Sequence, residues 1–206
     1  MSRLDQPLGL LLEELASSSP TPGGGAAAAL AGALAAALTA MVASLTQGKK
    51  GYEAAQPEME RIAREAGALR DRLARLLEED VAAFEGVVAA HRLPRADPAR
   101  ALSVEEALKR ASRVPLETAE SCLGVLRLAK IAAARGKKEA VTDAGAAVAL
   151  AYAGLEAALL NVRVNLLAIQ DEAFAAEHSE RAEALATAGS RLKGEALKLV
   201  QERMEG

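Results

Sequence analysis

The sequence predicts an all-α protein, a single domain over residues 1–206 built as a bundle of about six helices. Alanine supplies roughly a quarter of the chain while aromatic residues make up 2%, which favours helices and leaves few of the side chains that strands prefer. Apolar residues recur at steps of three and four, the spacing of one helix face. Because small side chains let helices approach closely, we also expect extended helix-helix interfaces and oligomerisation through such faces.

The first part of the chain predicts a short helix followed by a buried one. Ser17–Pro22 ends the first helix because proline cannot continue it, and Gly23–Gly25 leads into an uncharged stretch, residues 26–45. That stretch is long enough to cross a bilayer. It is mostly alanine, however, and has neither aromatic belts nor flanking basic asymmetry, so it predicts a core helix and no membrane association.

Four further helices follow a polar break at residues 47–51. Their predicted ranges are 57–91, 103–135, 142–176 and 179–204. Pro115 should kink the second of these, because it removes a backbone hydrogen bond. Thr142 or Asp143 is the predicted N-cap of the third.

Charge and cysteine content exclude several classes of function. The net charge is -3 with acidic and basic residues interspersed, so the chain has no basic run to bind nucleic acid. Cys122 is the single cysteine, and His91 and His178 form no ligand cluster with it, so we expect neither a disulfide nor a metal site. The amino terminus has no hydrophobic signal region, which predicts a cytoplasmic protein.

Asp80 falls on the apolar face of the long helix when the steps from Ile62 to Phe84 are continued. A buried, unpaired carboxylate costs several kcal/mol unless it has partners or stays protonated. Two interpretations remain. Either the apolar face has rotated by this point and Asp80 joins the solvated Glu78 and Glu79, or Asp80 is buried and functional.

Three polar features could form a binding site. Asn161 and Asn165 are the only asparagines in the chain, and their spacing places them on one helix face. They predict either a hydrogen-bonded link between helices or a pair of amides lining a site. Pro22–Gly25 opens a helix, so it is either an anion site with unblocked N–H groups or a flexible entry. Asp143 is either a cap or a site residue.

The order of these motifs resembles the formimidoyltetrahydrofolate cyclodeaminase / methenyltetrahydrofolate cyclohydrolase family, the cyclodeaminase part of formiminotransferase-cyclodeaminase. The resemblance covers about residues 8–166. Its segments are SPTPGGG at 19–25 before the alanine-rich helix, TQGKK at 46–50, DVAAF at 80–84, VP at 114–115, TDAG at 142–145 and NVRVN at 161–165.

The resemblance implies a dimerising helical bundle with a folate site in a cleft between helices. It identifies Asp80 as the proton donor and acceptor. It also implies that the cleft is lined by the glycine-rich turn and three polar residues, namely Pro22, Gly23, Gly24, Gly25, Asp143, Asn161 and Asn165. Lys49 and Lys50 are candidates for binding the anionic glutamate tail, the alternative being ordinary surface lysines. A tetrahydrofolate derivative is the expected substrate, with no further cofactor and no metal.

Two reactions fit the family and share one carboxylate. In cyclodeamination, N10 of 5-formimidoyltetrahydrofolate attacks the formimidoyl carbon, and ammonia leaves to give 5,10-methenyltetrahydrofolate. The cyclohydrolase reaction is closely analogous. Because a carboxylate with a raised pKa can move the protons in either case, the sequence leaves both activities open. The alternative from another class is a catalytically silent folate-binding or oligomeric helical module.

Overall fold

A computed structural model describes residues 3–205, and within this range every regular element is helical. The α-helices are α1 (Leu8–Ala16), α2 (Gly24–Thr46), α3 (Gln56–Arg92), α4 (Arg100–Arg135), α5 (Val141–Leu166) and α6 (Glu172–Glu205). Short 3-10 turns occupy Arg3–Asp5, Glu53–Ala55 and Lys138–Ala140. The all-α prediction of about six helices is confirmed for the described part of the chain.

Helix α2 packs against three other helices of the bundle. It packs mainly against α3 and α5, and it also contacts α4. At the crossing of α2, α4 and α5, a Cβ added to Gly32 would lie 2.6 Å from Cys122 Sγ, and one added to Gly154 would lie 2.8 Å from the Ala28 carbonyl oxygen. Small residues therefore allow this close approach, as the alanine-rich composition predicts.

Two stretches are long and apolar enough to cross a membrane by length and composition alone, Gly24–Thr46 and Lys138–Leu166. Both belong to the bundle. In the most apolar window of α2, 56% of the residues are buried inside the protein, and in that of α5 the share is 50%. These are core helices of the bundle, and each keeps an apolar face uncovered by the rest of the chain.

The boundary between α5 and α6 differs from the predicted one. The sequence suggested helices at 142–176 and 179–204, whereas α5 ends at Leu166 and α6 begins at Glu172. Asp171 stops the pattern, since its Oδ1 accepts a hydrogen bond from the Phe174 N–H at 3.1 Å. The Glu105 carboxylate on α4 also accepts the Asp171 N–H at 3.0 Å. The missed signal was an N-cap aspartate within an apolar run.

The predicted cap at the start of α5 is wrong. Helix α5 begins at Val141, directly after the Lys138–Ala140 turn, and no side chain makes a capping hydrogen bond there. Thr142 and Asp143 instead lie in the first helical turn. A carboxylate at that position still interacts favourably with the positive end of the helix dipole.

Candidate active site

Asp80 lies where α3 meets the amino-terminal end of α2. The backbone N–H of Ala26 lies near its carboxylate and acts to lower its pKa. A Cβ added to Gly25 would lie 2.1 Å from Asp80 Oδ1, so glycine leaves the room that the carboxylate occupies. Glu78 and Glu79 differ, because they form ion pairs with Arg3 and Arg72. Asp80 is therefore not part of a solvated acidic face.

The surroundings of Asp80 favour its protonated form. Burial raises the pKa of the Asp80 carboxyl, and the nearby Ala26 N–H opposes that rise only in part. Within residues 3–205 no lysine, arginine or histidine forms an ion pair with Asp80. A carboxyl group with a raised pKa can exchange a proton with a bound substrate in both directions.

Asn165 connects α5 to α4 through a carbonyl that a proline leaves unpaired. Pro115 has no N–H, so the Ala111 carbonyl oxygen four residues earlier lacks its usual helical donor. Asn165 Nδ2 donates to that oxygen at 2.7 Å. Because a carbonyl can only accept, the amide is held in one orientation, with its Oδ1 left as an acceptor.

Asn161 lies one turn earlier on the same face of α5. Its Nδ2 donates to the Ala157 carbonyl oxygen at 2.9 Å. The same nitrogen would lie 3.5 Å from a Cβ added to Gly24, which is ordinary contact. Asn161 thus reaches the glycine-rich turn while its Oδ1, like that of Asn165, accepts no hydrogen bond from residues 3–205.

These groups surround one cavity of about 230 Å³. Its lining is Pro20, Thr21, Gly23, Gly24, Gly25, Asp80, Ala83, Phe84, Val87, Leu108, Ala111, Asn161 and Asn165. A larger cavity of about 540 Å³ lies between α4 and α6. There, Glu117 and Glu120 are already paired with Arg72 and Arg181. The smaller cavity is the better candidate because its carboxylate and amides converge without ionic partners.

Comparison with known proteins decides the family. The formiminotransferase-cyclodeaminase family model matches residues 7–184. The chain belongs to this family. The resemblance inferred from the motifs is therefore confirmed, and the cavity around Asp80 lies within the matched range.

Two curated relatives and one solved structure illustrate the similarity. Methenyltetrahydrofolate cyclohydrolase of Methylorubrum extorquens is 44% identical over 178 residues, which cover 84% of this chain and 86% of the relative. Formimidoyltransferase-cyclodeaminase of Sus scrofa is 32% identical over 188 residues, 89% of this chain but 35% of the relative. The crystal structure of formiminotetrahydrofolate cyclodeaminase from Thermotoga maritima superposes with a TM-score of 0.89 at 31% identity, covering 96% of each chain.

Three of the residues expected in this family's folate cleft lie elsewhere in the chain. Lys49 and Lys50 follow the carboxyl-terminal end of α2, and α2 has 23 residues, so roughly 33 Å separates them from Gly25. Asp143 lies in the first turn of α5, roughly 27 Å from Asn161 by the same helical rise. A single chain therefore brings Asp80, Asn161, Asn165 and the glycine-rich turn together, but not Asp143 or the two lysines.

Residues that the sequence did not identify complete the cleft. Leu108 and Ala111 of α4 line it, and Ala26 supplies the N–H that meets Asp80. Pro115 was the available signal for Ala111, because a proline inside a helix leaves a carbonyl four residues earlier without its donor. Sequence reasoning used that proline only to predict a bend.

Proposed function

We propose that the chain is a folate one-carbon enzyme that hydrolyses 5,10-methenyltetrahydrofolate to 10-formyltetrahydrofolate. The observation that carries this proposal is the Asp80 carboxylate, which occupies the space left by Gly25 inside a cleft with two oriented asparagines. The 44% identity to a methenyltetrahydrofolate cyclohydrolase across most of both chains supports this reaction over its analogue. Residues 1–206 would act as one catalytic domain.

Asp80 acts as both base and acid in this mechanism. Its carboxylate accepts a proton as water attacks the methenyl carbon, which forms a neutral tetrahedral centre between N5 and N10. The carboxyl group then donates the proton to N5 as the bond between N5 and that carbon breaks, and the carbinol proton is lost to solvent. A raised pKa suits this exchange, because a general acid–base group works best when its pKa lies closer to the working pH than that of an ordinary carboxyl group.

The other residues of the cleft orient the substrate. The amino group and ring N–H of a pterin are donors, and the Oδ1 atoms of Asn161 and Asn165 are acceptors without a donor from residues 3–205. Phe84, Val87 and Leu108 supply apolar surface for the ring. We infer that the asparagines bind the pterin edge while Asp80 faces the one-carbon unit.

Cyclodeamination of 5-formimidoyltetrahydrofolate is the second candidate activity. It is supported by the match to the cyclodeaminase from Thermotoga maritima along 96% of both chains. The same carboxylate would take a proton from N10 and return one to the departing ammonia. The proposed substrate in either case is a reduced folate, with no additional cofactor or metal.

The proposal is tested by giving purified protein both substrates separately. Loss of the near-ultraviolet absorbance of 5,10-methenyltetrahydrofolate reports hydrolysis, and formation of that chromophore from 5-formimidoyltetrahydrofolate reports cyclodeamination. We expect hydrolysis to have the larger kcat/KM. Tight binding of either folate without turnover would identify a catalytically silent module instead, and absence of both binding and turnover by folded protein would refute the proposal.

The assembly and location that suit this function are a cytoplasmic homodimer. Helix α2 exposes a row of large apolar side chains, including Leu34, Met41 and Leu45. Exposed apolar rows of this kind are typical of interfaces between subunits. Sedimentation at micromolar protein concentration should give twice the mass of one chain.

A further inference from the structure

The connection between α5 and α6, residues 167–171, begins directly beyond the cleft. Asn165, which lines the cleft, is the last residue but one of α5. Its carbonyl oxygen accepts the Ala168 N–H at 3.2 Å, so the turn that leaves the helix starts at this residue. Helix ends fray unless contacts from outside the helix hold their last turn. The position of the Asn165 amide therefore depends on what holds the connection.

Glu105 on α4 holds the far end of this connection. Its Oε2 accepts the Gln170 N–H at 3.2 Å, and its Oε1 accepts the Asp171 N–H at 3.0 Å. Both N–H groups lie between the two helices, where no helical carbonyl is placed to accept them. One carboxylate thus binds two successive backbone amides. Hydrogen bonds to an ionised acceptor of this kind are stronger than those between neutral groups.

Lys109, one helical turn after Glu105, adds a side-chain contact to the same segment. Its Nζ donates to Asp171 Oδ2 at 2.8 Å, and only 15% of its side chain is exposed. The other oxygen of Asp171 accepts the Phe174 N–H at the start of α6. Glu105 and Lys109 together therefore bind the segment that joins α5 to α6.

Helix α4 also lines the cleft, one and two turns beyond Glu105. Leu108 and Ala111 contribute to the wall of the cavity, and the Ala111 carbonyl oxygen accepts Asn165 Nδ2 at 2.7 Å. Helix α4 thus contacts the end of α5 at two points, at Asn165 itself and beyond the turn that follows it. With both contacts in place, the Asn165 Oδ1 is left as an acceptor at a fixed position in the cleft.

We propose that Glu105 is a positioning residue for folate binding, and that it acts through Asn165. Glu105 does not line the cavity around Asp80, so the connection must carry its effect. Loss of the carboxylate releases the connection and lets the last turn of α5 fray, which moves the Asn165 acceptor out of place. The identity of the ligand rests on the proposed function, whereas the link between Glu105 and the connection does not.

Glu105→Gln tests this role while keeping the shape of the side chain. The amide oxygen can accept one backbone N–H, but the amide nitrogen is a donor and cannot accept the second. We expect KM for 5,10-methenyltetrahydrofolate to rise about fivefold, as for the loss of one hydrogen bond. The kcat should stay near the wild-type value, because Asp80 lies on α3.

Glu106→Gln is the matched control for the change in charge. The Glu106 side chain is 58% exposed, and its ion pair is a long one, 3.8 Å to Lys109 Nζ. This variant removes the same charge one residue away and leaves both hydrogen bonds to the connection intact. Its KM should equal that of the wild type, and a rise equal to that of Glu105→Gln would overturn the proposal.

A double-mutant cycle separates positioning from a general loss of stability. In a chain that already carries Asn165→Ala, Glu105→Gln should cause no further rise in KM, because the group through which it acts is absent. A general loosening of the fold would instead raise KM by the same factor in both backgrounds. That result, or an unchanged KM when Glu105→Gln is made alone, overturns the proposal.

Hydrogen exchange followed by NMR tests the structural link without substrate. The amides of Gln170 and Asp171 should exchange faster in Glu105→Gln than in Glu106→Gln, since only the former loses an acceptor. Equal exchange would overturn the link. If the wild type binds the folate without turnover, the proposed function fails, and the cycle measured by Kd decides on Glu105 separately. If the folded wild type binds no folate, both proposals fail.

Discussion

The two ends of α2 both depend on glycine, but for different physical reasons. At the amino-terminal end, Gly25 lies in the helix and its missing Cβ leaves room for Asp80 Oδ1, 2.1 Å from where the Cβ would be. At the carboxyl-terminal end, Gly48 and Gly51 have φ angles of 68° and 89° and nothing lies within 4 Å of their Cβ positions. One end needs glycine for space beside a reactive group, the other for backbone conformation. Substitutions should therefore impair activity at the first end and stability at the second.

The largest effect should come from Asp80→Asn, which removes the reactive group from the amino-terminal end and keeps its shape. We expect kcat to fall by about 10²–10⁴-fold, the usual contribution of general acid-base catalysis. The amide oxygen can still face the Ala26 N–H, so the fold is retained. Steady-state turnover and circular dichroism measure the two effects, and full activity in the folded variant would remove Asp80 from the mechanism.

Gly25→Ala should follow, because the new methyl group occupies the position of the Asp80 carboxylate. We expect activity to fall by about two orders of magnitude, as for a misplaced catalytic group. Gly24→Ala is the matched control: its Cβ would meet Asn161 Nδ2 at an ordinary 3.5 Å. Equal activities of the two variants would contradict the role of space at Gly25.

Pro115→Ala should have a smaller effect on the same end. It restores a backbone N–H that competes with Asn165 for the Ala111 carbonyl oxygen, so the amide loses its fixed orientation. We expect KM to rise about tenfold, equivalent to roughly 1.4 kcal/mol, while helix α4 becomes no less stable. Measuring KM together with urea unfolding distinguishes this loss of orientation from general destabilisation.

At the carboxyl-terminal end, Gly48→Ala should affect stability alone. A non-glycine residue in the left-handed region costs about 1–2 kcal/mol, and open space surrounds this position. We expect a lower urea midpoint with unchanged kcat. A change in kcat at this position would indicate that the turn takes part in catalysis directly.

The smallest effect is a pH-dependent difference in stability between wild type and Asp80→Asn. Because burial raises the folded-state pKa of Asp80 above its ordinary value of 3.8, ionisation of Asp80 destabilises the fold. That destabilisation is absent below pH 3.8 and develops as pH rises through the folded-state pKa. Asp80→Asn should therefore be more stable than wild type at pH 7, by about 1 kcal/mol or less, with the difference shrinking towards pH 4. A lower stability at pH 7 would contradict unfavourable burial.

Sequence reasoning reached Asp80 and the asparagines because their chemistry contrasts with a chain of alanine and leucine. The start of α2 and the length of α3 could be predicted in the same way, from glycine, proline and apolar spacing. It did not place Asp171 as the start of α6, since the apolar pattern runs on through Leu167 and Ile169. Nor could it bring Asn165 to Ala111, because that contact depends on how α4 and α5 pack.

Sequence reasoning assigned three residues to the cleft that the fold places far from it. The reason for this error is different. Lys49, Lys50 and Asp143 lie in segments that resemble the family's motifs, and such a resemblance does not show which cleft a residue serves. Helix length alone separates them from Asp80 in one chain.

The thiol of Cys122, buried where α2, α4 and α5 cross, can report when these three helices separate. Cys122 is the single thiol in the sequence. It is enclosed by Gly32 and Gly154, and burial raises its pKa to about 12. At neutral pH the native protein therefore presents almost no thiolate to react with an added thiol reagent. The rate at which Cys122 is modified therefore reports how often α2, α4 and α5 separate around it. A bound folate should lower that rate.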